Sequence, residues 1–413
     1  MPHAGVSDSN SPGSDSLLRF ANKTVPFRFL GRDMAFRLSH ALFSSYDIDD
    51  GTRLLLKSIA KHVDLDGVLN ALDVGCGVGV IGACIRARAP RAAVLLQDRD
   101  ALAVEFAREN CRANDVGDVT VETGLAFWHL GGKAFDFVTS NLPAKAGTPV
   151  LQSFLRHAAG CLSLNGIAAV VIVDPLAGLA LDTLTTLGCG IAYKEAARNY
   201  TVLHFQAGNA RQESDDQRQD MAPYIRARSA FSHEGTAYKL ETAFSLPDFD
   251  SVSHSLELCL DALVDVDVAG NVLVWNPGQG HLPSFLLSRY GPAITGISLA
   301  SRDALELAIT EKNILAMGRR PQDSLPVPSE KDLALTYPKN AFDFICMTPH
   351  PIPRVPWQAD AIASAHALLR SGGRVLLAGA STEMHRLLAQ RQGFRLLADR
   401  KRAGFRCALL ERA

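Results

Sequence analysis

The stretch Ala71-Leu72-Asp73-Val74-Gly75-Cys76-Gly77-Val78-Gly79-Val80-Ile81-Gly82 decides how this chain is read. Leu72 and Val74 have the apolar character of a buried strand, Asp73 stands near its end, and Gly75, Gly77 and Gly79 form a turn with no side chains to block a ligand. A helix expected over 80–88 turns its N-terminal N–H groups and positive dipole end toward that turn. The layout is that of a nucleotide site. Gly77, Gly79 and Gly82 also satisfy the dinucleotide fingerprint G-x-G-x-x-G, a match of little weight alone. Asp73 argues against a dinucleotide, because a carboxylate just ahead of the glycines repels a pyrophosphate. The same carboxylate favours a ligand with sulfonium and ammonium charges, such as S-adenosylmethionine. The second strand, AAVLLQD, ends at Asp98, where doubly wound folds place an acid on ribose hydroxyls, a role that serves either cofactor.

Around this stretch strands and helices alternate. Strands are expected at 68–74, 92–98, 119–123, 135–140 and 167–173, and helices at 80–88, 101–113, 149–162 and 176–187. Such alternation gives a parallel sheet covered by helices on both faces. Two closing strands, 190–197 and 200–206, are near enough in sequence to form an antiparallel hairpin at the sheet edge. Before the first strand, 52–62 has helical apolar spacing, and short apolar groups over 17–45 suggest a small entry element. Residues 1–16 are rich in Ser, Gly, Pro and Asp and read as disordered.

A polar segment at 208–221 reads as a linker, and after it the pattern restarts. Phe43-Ser44 with Asp47 and Asp49 matches Phe244-Ser245 with Asp248 and Asp250 at a spacing of 201 residues, and Gly77 and Gly79 match Gly278 and Gly280 at the same spacing. A register held that long marks a duplication. The chain reads as two tandem doubly wound α/β domains, 17–207 and 222–413. The second copy has Val274 for Asp73, Asn276 for Gly75, Ser301 for Asp98 and Thr348 for Asn141, so it reads as a degenerate scaffold.

Composition sets outer bounds. With 47% hydrophobic and 21% charged residues and a formal net charge of −1, nothing overall announces a nucleic-acid binder. RNA contact would need a local patch, for which Arg19, Lys23, Arg28, Arg32 and Arg37, and later Arg226, Arg228 and Lys239, are the candidates. Eight scattered cysteines without a C-x-x-C pair read as reduced thiols of a cytosolic protein. The histidines form no metal-ligand grouping, and no membrane span or signal peptide is expected.

The remaining chemistry lies in Ser140-Asn141-Leu142-Pro143-Ala144-Lys145, at the end of the strand FDFVTSN. Carboxyl ends of neighbouring strands line one crevice, which brings Asn141 toward the ligand held by Asp73 and Asp98. An Asn side-chain oxygen and the Leu142 carbonyl can both accept from an amine and aim its lone pair, with Pro143 holding the turn. Read without Asp73 and Asp98, Asn-x-Pro is only a strand-ending turn.

At these motifs the chain resembles the methyltransferase small superfamily, above all the tandem-domain ribosomal RNA guanine-N2 methyltransferases. Their N-P-P-F-H-x-G is similar to Asn141-Leu142-Pro143-Ala144-Lys145-Ala146-Gly147, and their F-S entry motif is similar to Phe43-Ser44 through Asp49-Asp50-Gly51-Thr52-Arg53-Leu54-Leu55. Their N-Y-T-V strand has its like in Asn199-Tyr200-Thr201-Val202. The resemblance implies two Rossmann-like class I S-adenosylmethionine methyltransferase domains. It also implies a base as acceptor, gripped by an aromatic that is Ala144 here. Unlike the family, the intact copy is N-terminal. The expected roles are Asp73, Gly75, Gly77, Gly79 and Asp98 for the cofactor, and Asn141 and Pro143 for catalysis, with no metal. The acceptor is an amine on RNA or on a small molecule. Small-molecule N- or O-methylation and a non-catalytic RNA- or partner-docking role stand as alternatives.

Overall fold

The computed structural model describes residues 17–43, 46–208 and 219–413. The expected disordered segment 1–16, Ser44 of the entry motif and most of the expected linker lie outside the described residues. The chain opens with an antiparallel hairpin of β1 (Lys23–Phe29) and β2 (Arg32–Leu38). Helix α1 (Asp50–His62) follows, its N-terminus capped by the Asp49 carboxylate.

Next come β3 (Asn70–Val74), α2 (Val80–Arg88), β4 (Ala93–Asp98), α3 (Ala101–Ala113), β5 (Val119–Thr123), β6 (Phe135–Asn141), α4 (Thr148–Gly160), β7 (Leu162–Val173), α5 (Ala177–Thr186), β8 (Gly190–Ala197) and β9 (Tyr200–Gln206). They form one seven-stranded sheet ordered β5-β4-β3-β6-β7-β9-β8, parallel except for the β8–β9 hairpin at one edge. The periodic segments fall where their patterns place them. One strand differs. β7 begins at Leu162 rather than 167, because Leu162 pairs with Phe135 and Ser163-Leu164-Asn165-Gly166 is carried in the strand by a register shift before Ile167 pairs with Phe137. Helix α4 accordingly stops at Gly160, two residues short of its expected end.

The second copy repeats the plan. It has the hairpin β10 (Ile225–His233) and β11 (Thr236–Ala243), then α6 (His254–Val264), β12 (Gly270–Trp275), α7 (His281–Tyr290), β13 (Ile294–Ser301), α8 (Ala304–Ala316), β14 (Asp323–Pro326), α9 (Glu330–Thr336), β15 (Phe342–Met347), α10 (Trp357–Leu368), β16 (Leu369–Ala380), α11 (Ser381–Ala389), β17 (Phe394–Arg402) and β18 (Phe405–Arg412). Its sheet order, β14-β13-β12-β15-β16-β18-β17, matches the first strand for strand.

The copies meet at the carboxyl ends of β4 and β13, and the contact is reciprocal. Arg99 pairs with Asp303 at 3.1 Å and Arg302 with Asp100 at 2.6 Å. The Ala101 N–H donates to the Arg302 carbonyl at 2.8 Å, and the Ala304 N–H donates to the Arg99 carbonyl at 2.9 Å. Two equivalent segments exchanging the same bonds form an isologous contact within one chain. Met221, which its polar neighbours place in the linker, is instead buried with Leu125, Ala243, Leu246, Leu305 and Ile309 in an apolar cluster joining the copies. Among the described residues no helix is long and apolar enough to cross a membrane, and no group of three or more His, Cys, Asp or Glu side chains is arranged to hold a metal ion.

Candidate active site

At the end of β3 the chain turns away from the sheet through Gly75 and Gly77, both at positive φ, with the Gly75 and Cys76 N–H groups donating to the Gln97 carbonyl. A Cβ on Gly77 would meet nothing within 4 Å, so backbone alone faces the crevice there. Gly79 serves a different purpose. It adopts the left-handed conformation as N-cap of α2, and a Cβ on it would stand 3.0 Å from that of Ala107, so it lets α2 close on α3.

The two acids flank this turn. Asp73 is fully buried, with Oδ2 accepting from the Gly82 N–H at 2.7 Å and Oδ1 left without a hydrogen-bond partner. Burial pushes its carboxyl up to about 7, against the lowering effect of the Gly82 N–H, and the nearby Asp98 charge adds to the rise. Asp98 is half-buried and raised to about 6, again chiefly by burial, while its oxygens accept from the Gly77 N–H at 2.8 Å and the Asp100 N–H at 2.9 Å. A buried, unpartnered carboxylate oxygen beside a glycine turn fits a cationic nucleoside cofactor, because a positive group there relieves the cost of the buried charge.

Asn141, half-buried at the end of β6, is held by a residue that sequence reasoning missed. Its Nδ2 donates to the Asp49 carboxylate at 3.1 and 3.3 Å, and lies 3.2 Å from the Thr52 hydroxyl. A carboxylate can only accept, so the amide nitrogen faces Asp49 and Oδ1 faces the other way as a fixed acceptor. Asp49 itself accepts from the Thr52 N–H at 3.0 Å and the Thr52 hydroxyl at 2.7 Å. A Cβ on Gly51 would lie 2.9 Å from the Tyr200 ring, so the entry motif and the Asn199-Tyr200-Thr201-Val202 strand close on each other. The signal was present in the repeat that pairs Asp49 with Asp250, which marked duplication without disclosing chemistry. Gln97 was also missed. Its side chain accepts from the Phe127 N–H at 2.8 Å and donates to the Trp128 carbonyl at 2.9 Å, anchoring the segment that follows β5. Pro143 is exposed, and its carbonyl accepts from the Ala146 N–H at 3.3 Å, which holds the turn after Asn141.

In the second copy side chains occupy part of the corresponding crevice. Asn276 donates to the Thr348 carbonyl at 3.0 Å and accepts from the Ser301 hydroxyl at 3.3 Å, spanning the strand ends where Gly75 leaves space in the first copy. The carboxylate lost at Ser301 returns from another position, for Glu306 accepts from the Ser301 hydroxyl at 2.8 Å and the Gly278 N–H at 3.3 Å. A cavity of about 340 Å³ remains there, lined by Asn276, Ser301 and Glu306 and by His40, Ala41 and Asp100 of the first copy.

The basic side chains read as an RNA patch are largely paired within the chain. Arg19 binds Asp360, Arg37 binds Glu109, Arg32 donates to the Asn114 carbonyl at 2.7 Å, and Lys23 donates to the Tyr46 carbonyl at 3.0 Å. Arg226 pairs with Asp250 at 2.6 Å and Arg228 with Glu241 at 2.6 Å.

Residues 33–204, the span that holds Asp49, Asp73, Asp98 and Asn141, match the family model of the methyltransferase small domain. The first copy carries this match over most of its length. Methyltransferases of this kind use S-adenosylmethionine as cofactor. Similar methyltransferase small sequences include ribosomal RNA small subunit methyltransferase C of Hahella chejuensis, 38% identical over 135 residues, 32% of this chain and 37% of that protein. The same-named protein of Actinobacillus succinogenes is 37% identical over 106 residues, 26% of this chain and 30% of that protein. The matched segments thus span about a third of those relatives. YbxB of Bacillus subtilis is 28% identical over 183 residues, 44% of this chain and 90% of that protein. Among solved structures, a 16S rRNA N2-guanine methyltransferase of T. thermophilus, in complex with AdoMet and guanosine, superposes with a TM-score of 0.66 at 21% identity. It covers 96% of this chain and all of that one, so the two-domain fold is shared along its whole length.

Proposed function

We propose that this chain transfers a methyl group from S-adenosylmethionine to the exocyclic amine of a guanine in ribosomal RNA, with cofactor and acceptor both held by the first copy. The observation that carries the reading is the Asn141 amide, pinned by Asp49 and Thr52 so that its oxygen is a fixed acceptor at the mouth of the Asp73–Asp98 crevice. The match of 33–204 to the methyltransferase small domain and the likeness to ribosomal RNA methyltransferases support it.

Bound S-adenosylmethionine supplies an electrophilic methyl group on a sulfonium. Asp98 receives the ribose hydroxyls, and Asp73 places a carboxylate beside the cationic methionine end. Gly75 and Gly77 let the backbone approach closely. Asn141 Oδ1 accepts a hydrogen bond from the acceptor amine and turns its lone pair into the crevice, while Asp49 keeps the amide from rotating. The amine loses its proton after it has gained the methyl, so no strong base is needed.

The test is calorimetric titration of S-adenosylhomocysteine into the wild-type chain and into Asp98→Ala and Ser301→Ala, followed by methyl transfer to ribosomal RNA. One site per chain is expected. Asp98→Ala removes a charged hydrogen-bond acceptor worth about 1.5–3 kcal/mol, a loss of about ten- to a hundredfold in affinity, while Ser301→Ala leaves binding intact. Asn141→Ala should bind the product normally and lose turnover by about a hundredfold or more. An Asn141→Ala protein with full activity would refute the catalytic assignment.

A further inference from the structure

The segment after Asn141 is short of one thing a base-binding site needs. Pro143, Ala144 and Lys145 are exposed, and no aromatic side chain lies between Leu142 and Gly147. The aromatic that touches this segment comes from the other copy. Gly147 sits at φ 95° and ψ 149°, and a Cβ on it would lie 3.1 Å from Cδ1 and 3.2 Å from Cγ of Phe244, so the Phe244 ring rests directly on its backbone. The neighbouring Ser245 hydroxyl donates to the Lys145 carbonyl at 3.2 Å.

Phe244 is held firmly at its base. Its N–H donates to the Tyr224 carbonyl at 2.9 Å. The residue before it, Ala243, is clamped on both backbone groups by the buried Gln279 side chain, at 2.8 and 3.0 Å. The ring itself is half-buried, with the Arg226 guanidinium 5.7 Å from its centroid. The arrangement is mirrored at the other crevice, where His40 and Ala41 of the first copy line the cavity at the end of β13. Each copy's entry segment therefore borders the crevice of the other. Phe43, the repeat partner of Phe244, is 76% exposed.

We infer that Phe244 of the second copy supplies the aromatic face on which the acceptor base packs in the first copy's site, in place of a side chain that Ala144 lacks. The inference rests on the guanine reading above and adds the reason for keeping a second copy, whose own crevice is narrowed by Asn276 and Glu306. A rigid ring on the acceptor segment selects a planar acceptor over a small aliphatic amine, because stacking rewards only a flat face.

The experiment measures guanosine binding to the full-length chain saturated with S-adenosylhomocysteine, for wild type, Phe244→Leu and Phe244→Tyr, with urea midpoints recorded for each. Phe244→Leu should weaken guanosine binding about tenfold while leaving the S-adenosylhomocysteine affinity unchanged, and Phe244→Tyr should restore it. In methyl transfer the loss should appear in KM for the acceptor more than in kcat. Wild-type affinity in Phe244→Leu would overturn the stacking role and leave the guanine reading standing. Equal losses in the Leu and Tyr variants would reduce Phe244 to a packing residue and overturn it too. A wild-type chain that binds S-adenosylhomocysteine but no guanosine would overturn the guanine reading and this inference together.

Discussion

Asp73 shows how one buried side chain can hold a backbone donor and cost the fold at once. Its Oδ2 holds the Gly82 N–H, and burial raises its carboxyl to about 7. In the unfolded chain an Asp titrates near about 3.9, so between roughly pH 4 and 7 the native state keeps a proton that the unfolded state has lost. This residue's contribution to stability therefore falls as pH rises through that window and levels off above it. Asp73→Asn retains an oxygen for Gly82 and discards the charge. It should be more stable than wild type at pH 8, with the gap closing toward pH 4 in urea titrations, while its affinity for S-adenosylhomocysteine drops. An unchanged pH profile in the variant would show that another group titrates there. In the second copy the acceptor and its donor are lost together: Val274 replaces Asp73 and Pro283, which has no N–H, replaces Gly82. The acid itself was legible as a candidate ligand group, because it stands beside the glycines. Its partnership with Gly82 was not, since that pairing exists only once α2 has docked.

At the scale of elements, the glycine fingerprint turns out to be a packing device in part. A Cβ on Gly82 would stand 2.6 Å from Cγ of Leu96, so α2 lies on β4 only because position 82 has no side chain. Gly82→Ala forces Leu96 or the helix to shift and should cost about 1–3 kcal/mol in urea unfolding. An alanine variant as stable as wild type would mean that the helix has slack at this contact. Helices α2 and α3 were readable to the residue because apolar periodicity, with an Asp N-cap for α3, brackets them. The start of β7 was not. Leu164 is 99% exposed and its neighbours are polar, so only hydrogen bonding across the sheet reveals those residues as strand.

For the whole molecule, the decisive contact is the exchange between Arg99–Asp100 and Arg302–Asp303. Arg302 also donates to the Ala41 carbonyl at 2.8 Å, which ties the first copy's entry segment to the second copy's crevice. Arg302→Ala leaves Asp100 without its cation at a half-buried junction and should destabilise the chain by about 1–3 kcal/mol. Differential scanning calorimetry would read the change. If the copies are coupled through this pair, the variant should lower the stability of both, and a transition that splits into one unchanged and one lowered component would show that they unfold independently.

Duplication, the α/β class, the strand boundaries flanking the glycine turn and the acids Asp73 and Asp98 were all fixed by local pattern, because periodicity, turn chemistry and repeat spacing depend on covalent neighbours. Folding alone decided the rest. Asn141 is aimed by Asp49, 92 positions earlier in the chain, the carboxylate missing at Ser301 is restored by Glu306, and Phe244 comes to rest on Gly147. Each of these joins side chains from separate elements, and whether they touch depends on how sheets, helices and the two copies pack against one another, a geometry that no stretch of neighbouring residues encodes.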